Sequence, residues 1–229
     1  MSDKIEGDFL IVIPARYNSS RFPGKPLAEI CGKSMLERVH EKCCEAVEKN
    51  LVIVATDDER IRLHCQKKRM NVVMTSDACL TGTDRVAEVA RQIERGYYIN
   101  VQGDEPLISA DDLKKVLSEV SRLSDKVNVF NAMTEINTED EFFNPHIPKV
   151  VFDESARLMY MSRAGVPLSK QGKFVQGYKQ VCIYGFERAT LLEVMNHNQN
   201  ASNESIEDIE ILRFLEKGHV VQMVPVSGI

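Results

Sequence analysis

A chain of 229 residues, 43% hydrophobic and 28% charged, holds enough apolar mass for one sizeable core and shows none of the bias of a disordered or fibrous protein. Its formal net charge of -5 argues against the broad basic face that nucleic acid requires, so no nucleic-acid partner is expected. No apolar run is long enough to cross a bilayer and MSDKIEGDFL has no apolar signal core, so no membrane partner is expected and the expected location is cytoplasmic.

Taken in chain order, FLIVIPA (residues 9–15) is a short run rich in β-branched residues and predicts a central strand. A basic loop follows, carrying Arg16, Arg21 and Lys25 around Pro23 and Gly24. Ser34 and Glu37 have capping-box spacing, and Leu36, Val39, Cys43 and Val47 recur at helical spacing, which predicts a helix running to Asn50. LVIVATDD, a polar helix from about Asp58 to Arg69 and NVVMTS repeat the strand and helix alternation. Thr83 is expected to cap a helix from Asp84 to Arg95, YYINVQGDEPL supplies a fourth strand, and Ser109 with Asp112 caps the next helix. This alternation implies an α/β fold with parallel strands joined by right-handed crossovers.

After Val127 the period changes. VNVFNAMTEI, PKVVFD and RLMYMSR lie close together with only turns between them, so an antiparallel insertion over roughly 127–169 is expected within a single domain spanning 1–229. QVCIYGF returns to a strand, Ala189 to Met195 reads as a short helix, NASNES as a loop, Ser205 with Asp208 as the cap of a last helix stopped by Gly218, and HVVQMVPV as the final strand.

Ligands of open parallel sheets bind beyond the carboxyl ends of the strands, which is where the basic loop and QGDEP both fall. Pro23 and Gly24 permit a tight turn whose N–H groups, with the cations, suit a phosphate. Neither a Walker A sequence nor G-x-G-x-x-G is present. Asp104, at a strand end facing such a loop, suits a Mg²⁺ ligand, with Glu105 a partner or a solvated neighbour. Asp111 and Asp112 sit in a helical first turn, where the helix dipole explains them without catalysis. The six cysteines show no C-x-x-C spacing, and His40, His64, His146, His197 and His219 form no metal spacing, so these read as packing or surface residues.

IPARYNSSRFPGKPL, VATDDERI, GTDRVAEV, NVQGDEPLI and YMSRAGVP, in this order, resemble the 3-deoxy-manno-octulosonate cytidylyltransferase (CMP-KDO synthetase) family over nearly the whole chain. The resemblance implies a nucleotide-diphospho-sugar transferase-like fold, mixed but mainly parallel and flanked by helices, with the antiparallel insertion used for dimerisation. It implies an Mg²⁺-dependent homodimer that converts CTP and an acidic sugar, a 3-deoxy-2-ulosonic acid, to the CMP-sugar and pyrophosphate. Carried over by position, Pro14, Ala15, Arg16, Arg21 and Lys25 hold the triphosphate. Ser76, Gly82, Thr83 and Arg85 help to seat the cytidine, and Gln102 and Asp104 form the nucleotide and metal segment. Arg163, Gln180, Tyr184 and Glu210 fall on the sugar side. Arg16, Lys25 and Asp104 are the expected catalytic groups.

Two departures bear on this. KQVCIYGF has Gln180 where the family has a histidine, so a neutral amide replaces a titrating ring and the acceptor is open among KDO, an amino-substituted KDO and a nonulosonic acid. The chain ends at Ser227-Gly228-Ile229, where the family continues into a VDTPEDL segment whose aspartate is the other metal ligand. A C-terminal truncation, or a second metal contact from elsewhere, is therefore expected. A catalytically silent nucleotide-binding scaffold is the rival from another class, and Glu207, Asp208 and Glu210 also read as a solvated helix face.

Overall fold

A computed structural model gives the fold, with residues 4–18, 22–196 and 202–228 described. The chain enters through β1 (Phe9–Pro14), every residue of which is buried. Phe9, Ile11 and Ile13 pack on one side with Leu36, Val39 and Cys43, while Leu10 and Val12 pack on the other with Val86, Val89 and Ala90. A strand covered on both faces shows no polar side, which is why it reads as an unbroken apolar run.

A small hairpin, β2 (Glu29–Ile30) and β3 (Lys33–Ser34), turns at Cys31 and Gly32, both at positive φ. It leads into α1 (Met35–Ala46), whose Ser34–Glu37 capping box forms as predicted. The helix stops at Ala46, short of Asn50, and Lys49–Leu51 make a 3-10 turn. There follow β4 (Val52–Thr56), α2 (Glu59–Lys67), β5 (Val72–Met74), α3 (Gly82–Gln92), β6 (Tyr97–Val101) and α4 (Ala110–Leu123). The strands lie parallel in the order β6-β1-β4-β5, as right-handed crossovers require. The cap of α3 is Thr81, not Thr83: the first turn starts at Gly82, and Thr81 and Asp84 exchange the capping-box bonds.

The expected start of the antiparallel insertion needs correcting. β7 (Val129–Glu135) is a strand of the main sheet, seated between β10 (Tyr178–Glu187) and β11 (Val221–Pro225). It is parallel to β11 and antiparallel to β10. Its residues are buried up to Thr134, so its sequence carries no face pattern that would reveal its partners. The antiparallel hairpin itself is β8 (Lys149–Phe152) with β9 (Leu158–Ser162), preceded by α5 (Glu139–Phe143) and hung on the start of β10.

After α6 (Arg188–Met195), the single last helix expected from Ser205 is instead two short ones, α7 (Ser202–Glu207) and α8 (Leu212–Glu216). Residues 202–205 of the expected NASNES loop are helical, and Asp208 at φ 53° breaks the chain direction. Buried Arg213 supplies the reason. Its Nε lies 2.6 Å from Glu204 and its Nη1 2.9 Å from Asp84 at the start of α3, and satisfying both carboxylates requires the chain to fold back. Asp112 fastens the exit of β11 by accepting from the Ser227 and Gly228 N–H groups at 2.8 and 3.0 Å, a structural role as expected. Among the described residues no helix is long and apolar enough to cross a membrane.

Candidate active site

The carboxyl ends of β1 and β6 are neighbours, and the turns leaving them form the floor of a cavity of about 400 Å³. Gly103 makes this possible. Its N–H points to the Pro14 oxygen at 3.3 Å, and a Cβ there would stand 2.8 Å from that same oxygen. The close approach brings Asp104 opposite the first loop, where Lys25 Nζ donates to Asp104 Oδ2 at 2.7 Å. Of the residues expected from sequence, Pro14, Ala15, Arg16, Lys25, Gly82, Arg85, Gln102, Asp104 and Glu210 all line this one cavity. A larger hollow, about 470 Å³ and lined by Met133, Phe152, Tyr178 and Val226 among others, has no cation in its wall among the described residues.

Local chemistry holds each group in place. The first loop closes where Gly24 N–H donates to the Tyr17 oxygen at 2.7 Å, and Gly24 adopts φ +76°, a left-handed conformation that costs glycine little. The next three residues, Lys25–Leu27, form a 3-10 turn with Pro26 buried, which sends Lys25 across the cavity mouth. Arg60, bidentate to Asp58 at 2.9 and 2.6 Å, covers the Tyr17 ring at 3.3 Å and braces the base of the loop. Arg16 is exposed and donates to the Leu80 oxygen at 3.2 Å. Arg85, by contrast, is 2% exposed and fixed by Asp57 at 3.1 Å and the Ser76 oxygen at 3.3 Å. Ser76 therefore reaches the site only through Arg85, while its own N–H donates to Glu88 at 2.6 Å. Arg21 lies outside the described residues.

Gly82 lies against Gln102, whose Nε2 would stand 2.7 Å from a Cβ at that position. Thr83, fully buried, does not line the cavity; its N–H at 2.9 Å and its hydroxyl both donate to Glu210 Oε2. Burial beneath α3 pushes the Glu210 carboxyl up, and the two Thr83 donors pull it back. Asn100 stands behind Thr83 with Nδ2 3.4 Å from the hydroxyl. Its Oδ1 is the buried side-chain polar atom without a partner among the described residues.

Three sugar-side expectations lie elsewhere. Arg163 donates to the Asp208 oxygen at 2.8 Å and the Pro145 oxygen at 3.1 Å, and its N–H to Glu207 at 2.8 Å, so it ties β9 to the end of α7. Gln180 Nε2 donates to Asn131 Oδ1 at 2.9 Å, and Asn131 bridges the irregular stretch of β10 by donating to the Val181 and Ile183 oxygens. Tyr184 is buried, stacked 6.1 Å from Phe186, with burial holding its hydroxyl well above the usual range. None of the three lines the cavity. Glu105, next to Asp104, faces a separate small hollow beside Cys182. Phe22, Pro26, Thr81 and Gly103 also line the cavity and are not among the expected site residues; of these only Gly103, glycine between a strand end and an acid, carries a sequence signal of close backbone approach.

Comparison with known proteins agrees with this architecture. A sequence model of the family described as "Cytidylyltransferase" matches residues 10–222. The chain is 37% identical to the 3-deoxy-manno-octulosonate cytidylyltransferase of Thermodesulfovibrio yellowstonii, over 91% of this chain and 86% of that one. It is 36% identical to the 8-amino-3,8-dideoxy-manno-octulosonate cytidylyltransferase of a Shewanella species, over 93% and 88%. A solved CMP:2-keto-3-deoxy-manno-octonic acid synthetase complexed with CTP superposes with a TM-score of 0.88 at 33% identity, over 96% of this chain and 90% of that one. The chain, with its mixed, mainly parallel sheet and its cavity at the strand ends, therefore belongs to the cytidylyltransferase family, alongside the 3-deoxy-manno-octulosonate cytidylyltransferases.

Proposed function

We propose that the protein transfers the cytidylyl group of CTP to a 3-deoxy-2-ulosonic acid of the KDO type, releasing pyrophosphate. The observation that carries this reading is the meeting of Arg16, Lys25 and Asp104 in one cavity at the ends of β1 and β6. The sugar's anomeric hydroxyl attacks the α-phosphorus in line and gives up its proton to solvent, a new O–P bond forms, and the bond from the α-phosphorus to the bridging oxygen breaks, that oxygen leaving with the pyrophosphate. No covalent bond to the protein is needed, so the side chains act by positioning and by neutralising charge. Lys25 and Arg16 face the triphosphate and balance the charge that grows on the leaving pyrophosphate. In the free protein Lys25 is held by Asp104, both about one-third to one-half exposed, so exchanging that partner for a phosphate costs little.

Asp104 is also the residue that would hold Mg²⁺. Among the described residues no group of three metal-ligating side chains forms a cage. Mg²⁺ at a nucleotide commonly takes one or two carboxylates and fills its shell with phosphate oxygens and water, so a lone carboxylate facing a triphosphate loop fits. Bound there, the ion would neutralise charge on the α-phosphate.

The exposed apolar side chains Phe143, Met159 and Leu168 support a homodimer formed through the expected segment, roughly 127–169. The acceptor is decided by a phosphate assay, coupled through pyrophosphatase, over a panel of ulosonic acids with CTP and Mg²⁺. Release with KDO or its 8-amino form is expected. Release with none of the panel would leave only nucleotide binding and overturn the reading.

A further inference from the structure

We infer that Thr83 is a positioning residue that aims Glu210 into the cavity as an acceptor for a substrate hydroxyl. The inference rests on the proposed reaction for its kinetic consequences, but its geometry stands in the free protein. Thr83 spends both of its donors, N–H and hydroxyl, on one oxygen of Glu210, Oε2. Asn100 donates to the Thr83 hydroxyl, so the donors run one way along Asn100, Thr83 and Glu210. Among the described residues Glu210 Oε1 has no hydrogen-bond partner, and its side chain stands in the cavity wall. One oxygen is thus anchored and the other is presented.

The cavity's chemistry identifies what Oε1 can meet. A carboxylate repels a triphosphate and a sugar carboxylate alike, whereas a hydroxyl donates to it well. Glu210 therefore faces a neutral donor on the substrate while Arg16 and Lys25 take its anionic end. The segment carrying Glu210 is pinned on either side, by Arg213 reaching Glu204 and Asp84 and by Arg163 on the Asp208 oxygen, so the position is fixed before any ligand arrives.

The groups whose charge acts on Glu210 are Asp84 of α3 and Glu204 of α7, with Tyr184 of β10 close enough to feel it; Arg85 shares its cavity wall. Both acids oppose ionisation of Glu210, and the Thr83 hydroxyl favours it. Removing that hydroxyl must move the carboxyl's titration further up. The test compares wild type, Thr83→Val, Thr83→Ser and Glu210→Gln. In the free protein, ¹³C NMR of the Glu210 carboxyl is expected to titrate at higher pH in Thr83→Val than in wild type or Thr83→Ser. In pyrophosphate release, the acid limb of kcat/KM is expected to move to higher pH in Thr83→Val, recovering at high pH, with Thr83→Ser within about twofold of wild type. Glu210→Gln is expected to lose that limb, and Thr83→Val on top of it to change the profile no further. An unmoved carboxyl titration, or a uniform loss at every pH shared by the valine and serine variants, would show that Thr83 only packs. If wild type proved inactive with every acceptor, the carboxyl titration would still decide the positioning role.

Discussion

Gly103 shows how one missing side chain sets the geometry of the site. A Cβ there meets a backbone oxygen at 2.8 Å, which cannot rotate away as a side chain could. Gly103→Ala is expected to lower stability by about 1–3 kcal/mol, the usual range for overpacking, and to reduce turnover because Asp104 is the next residue. Urea midpoints with parallel pyrophosphate assays check both; unchanged values in both would refute the close-approach argument. Arg16, Lys25 and Asp104 were legible from position, since the carboxyl ends of parallel strands meet at one crevice, whereas Gly82, Arg85 and Glu210 were expected only through the family resemblance. Thr83 was legible as a residue of the site region but not in its role, because its partner Glu210 is 127 positions away and nothing local announces the bond. Arg163 and Gln180 show the converse. Each is expected on the sugar side by resemblance alone, and in the free protein each is held by neighbouring backbone or amide groups.

At the scale of elements, α1 shows a cap that sequence reveals and an electrostatic consequence that it does not. Burial alone would raise the Glu37 carboxyl, but hydrogen bonds from Lys68 and from Ser34 outweigh it and bring it from 4.5 to about 2. A folded value below the unfolded one stabilises the protein above pH 4.5, and that contribution fades as pH falls from 4.5 towards 2. Glu37→Gln is therefore expected to be less stable than wild type at pH 7 and to lose less on acidification through that window. Chemical denaturation at a series of pH values measures it, and parallel curves for the two proteins would contradict it. The helix start was readable because Ser and Glu three residues apart satisfy each other locally. The break between α7 and α8 was not, because Ser205 and Asp208 present the same local pattern while the deciding contacts, from Arg213 to Asp84 and from Glu210 to Thr83, are long-range.

Across the whole molecule, alternating strands and helices made the parallel half of the sheet, β6-β1-β4-β5, recoverable from sequence. In the other half, β11-β7-β10, β10 and β11 were readable as strands but the place of β7 between them was not, because β7 is buried nearly throughout and gives no periodicity to choose between a hairpin and a sheet interior. That half matters to function. β10 lies antiparallel against β6 and continues the sheet beside Asn100, while the turn between α7 and α8 returns Glu210 to the cavity. The fold thus joins cations from the first loop, a carboxylate from the fourth parallel strand and an acid from the last sixth of the chain. The central claim is that Lys25 and Asp104 act on the same reacting phosphates. It is tested most directly by measuring pyrophosphate release from CTP with an accepted ulosonic acid and Mg²⁺, for wild type, Lys25→Ala and Asp104→Asn. Losing one such group is expected to remove about 2–4 kcal/mol of transition-state stabilisation, a fall in kcat/KM of roughly 30- to 1000-fold for each variant; near wild-type release by both would contradict it.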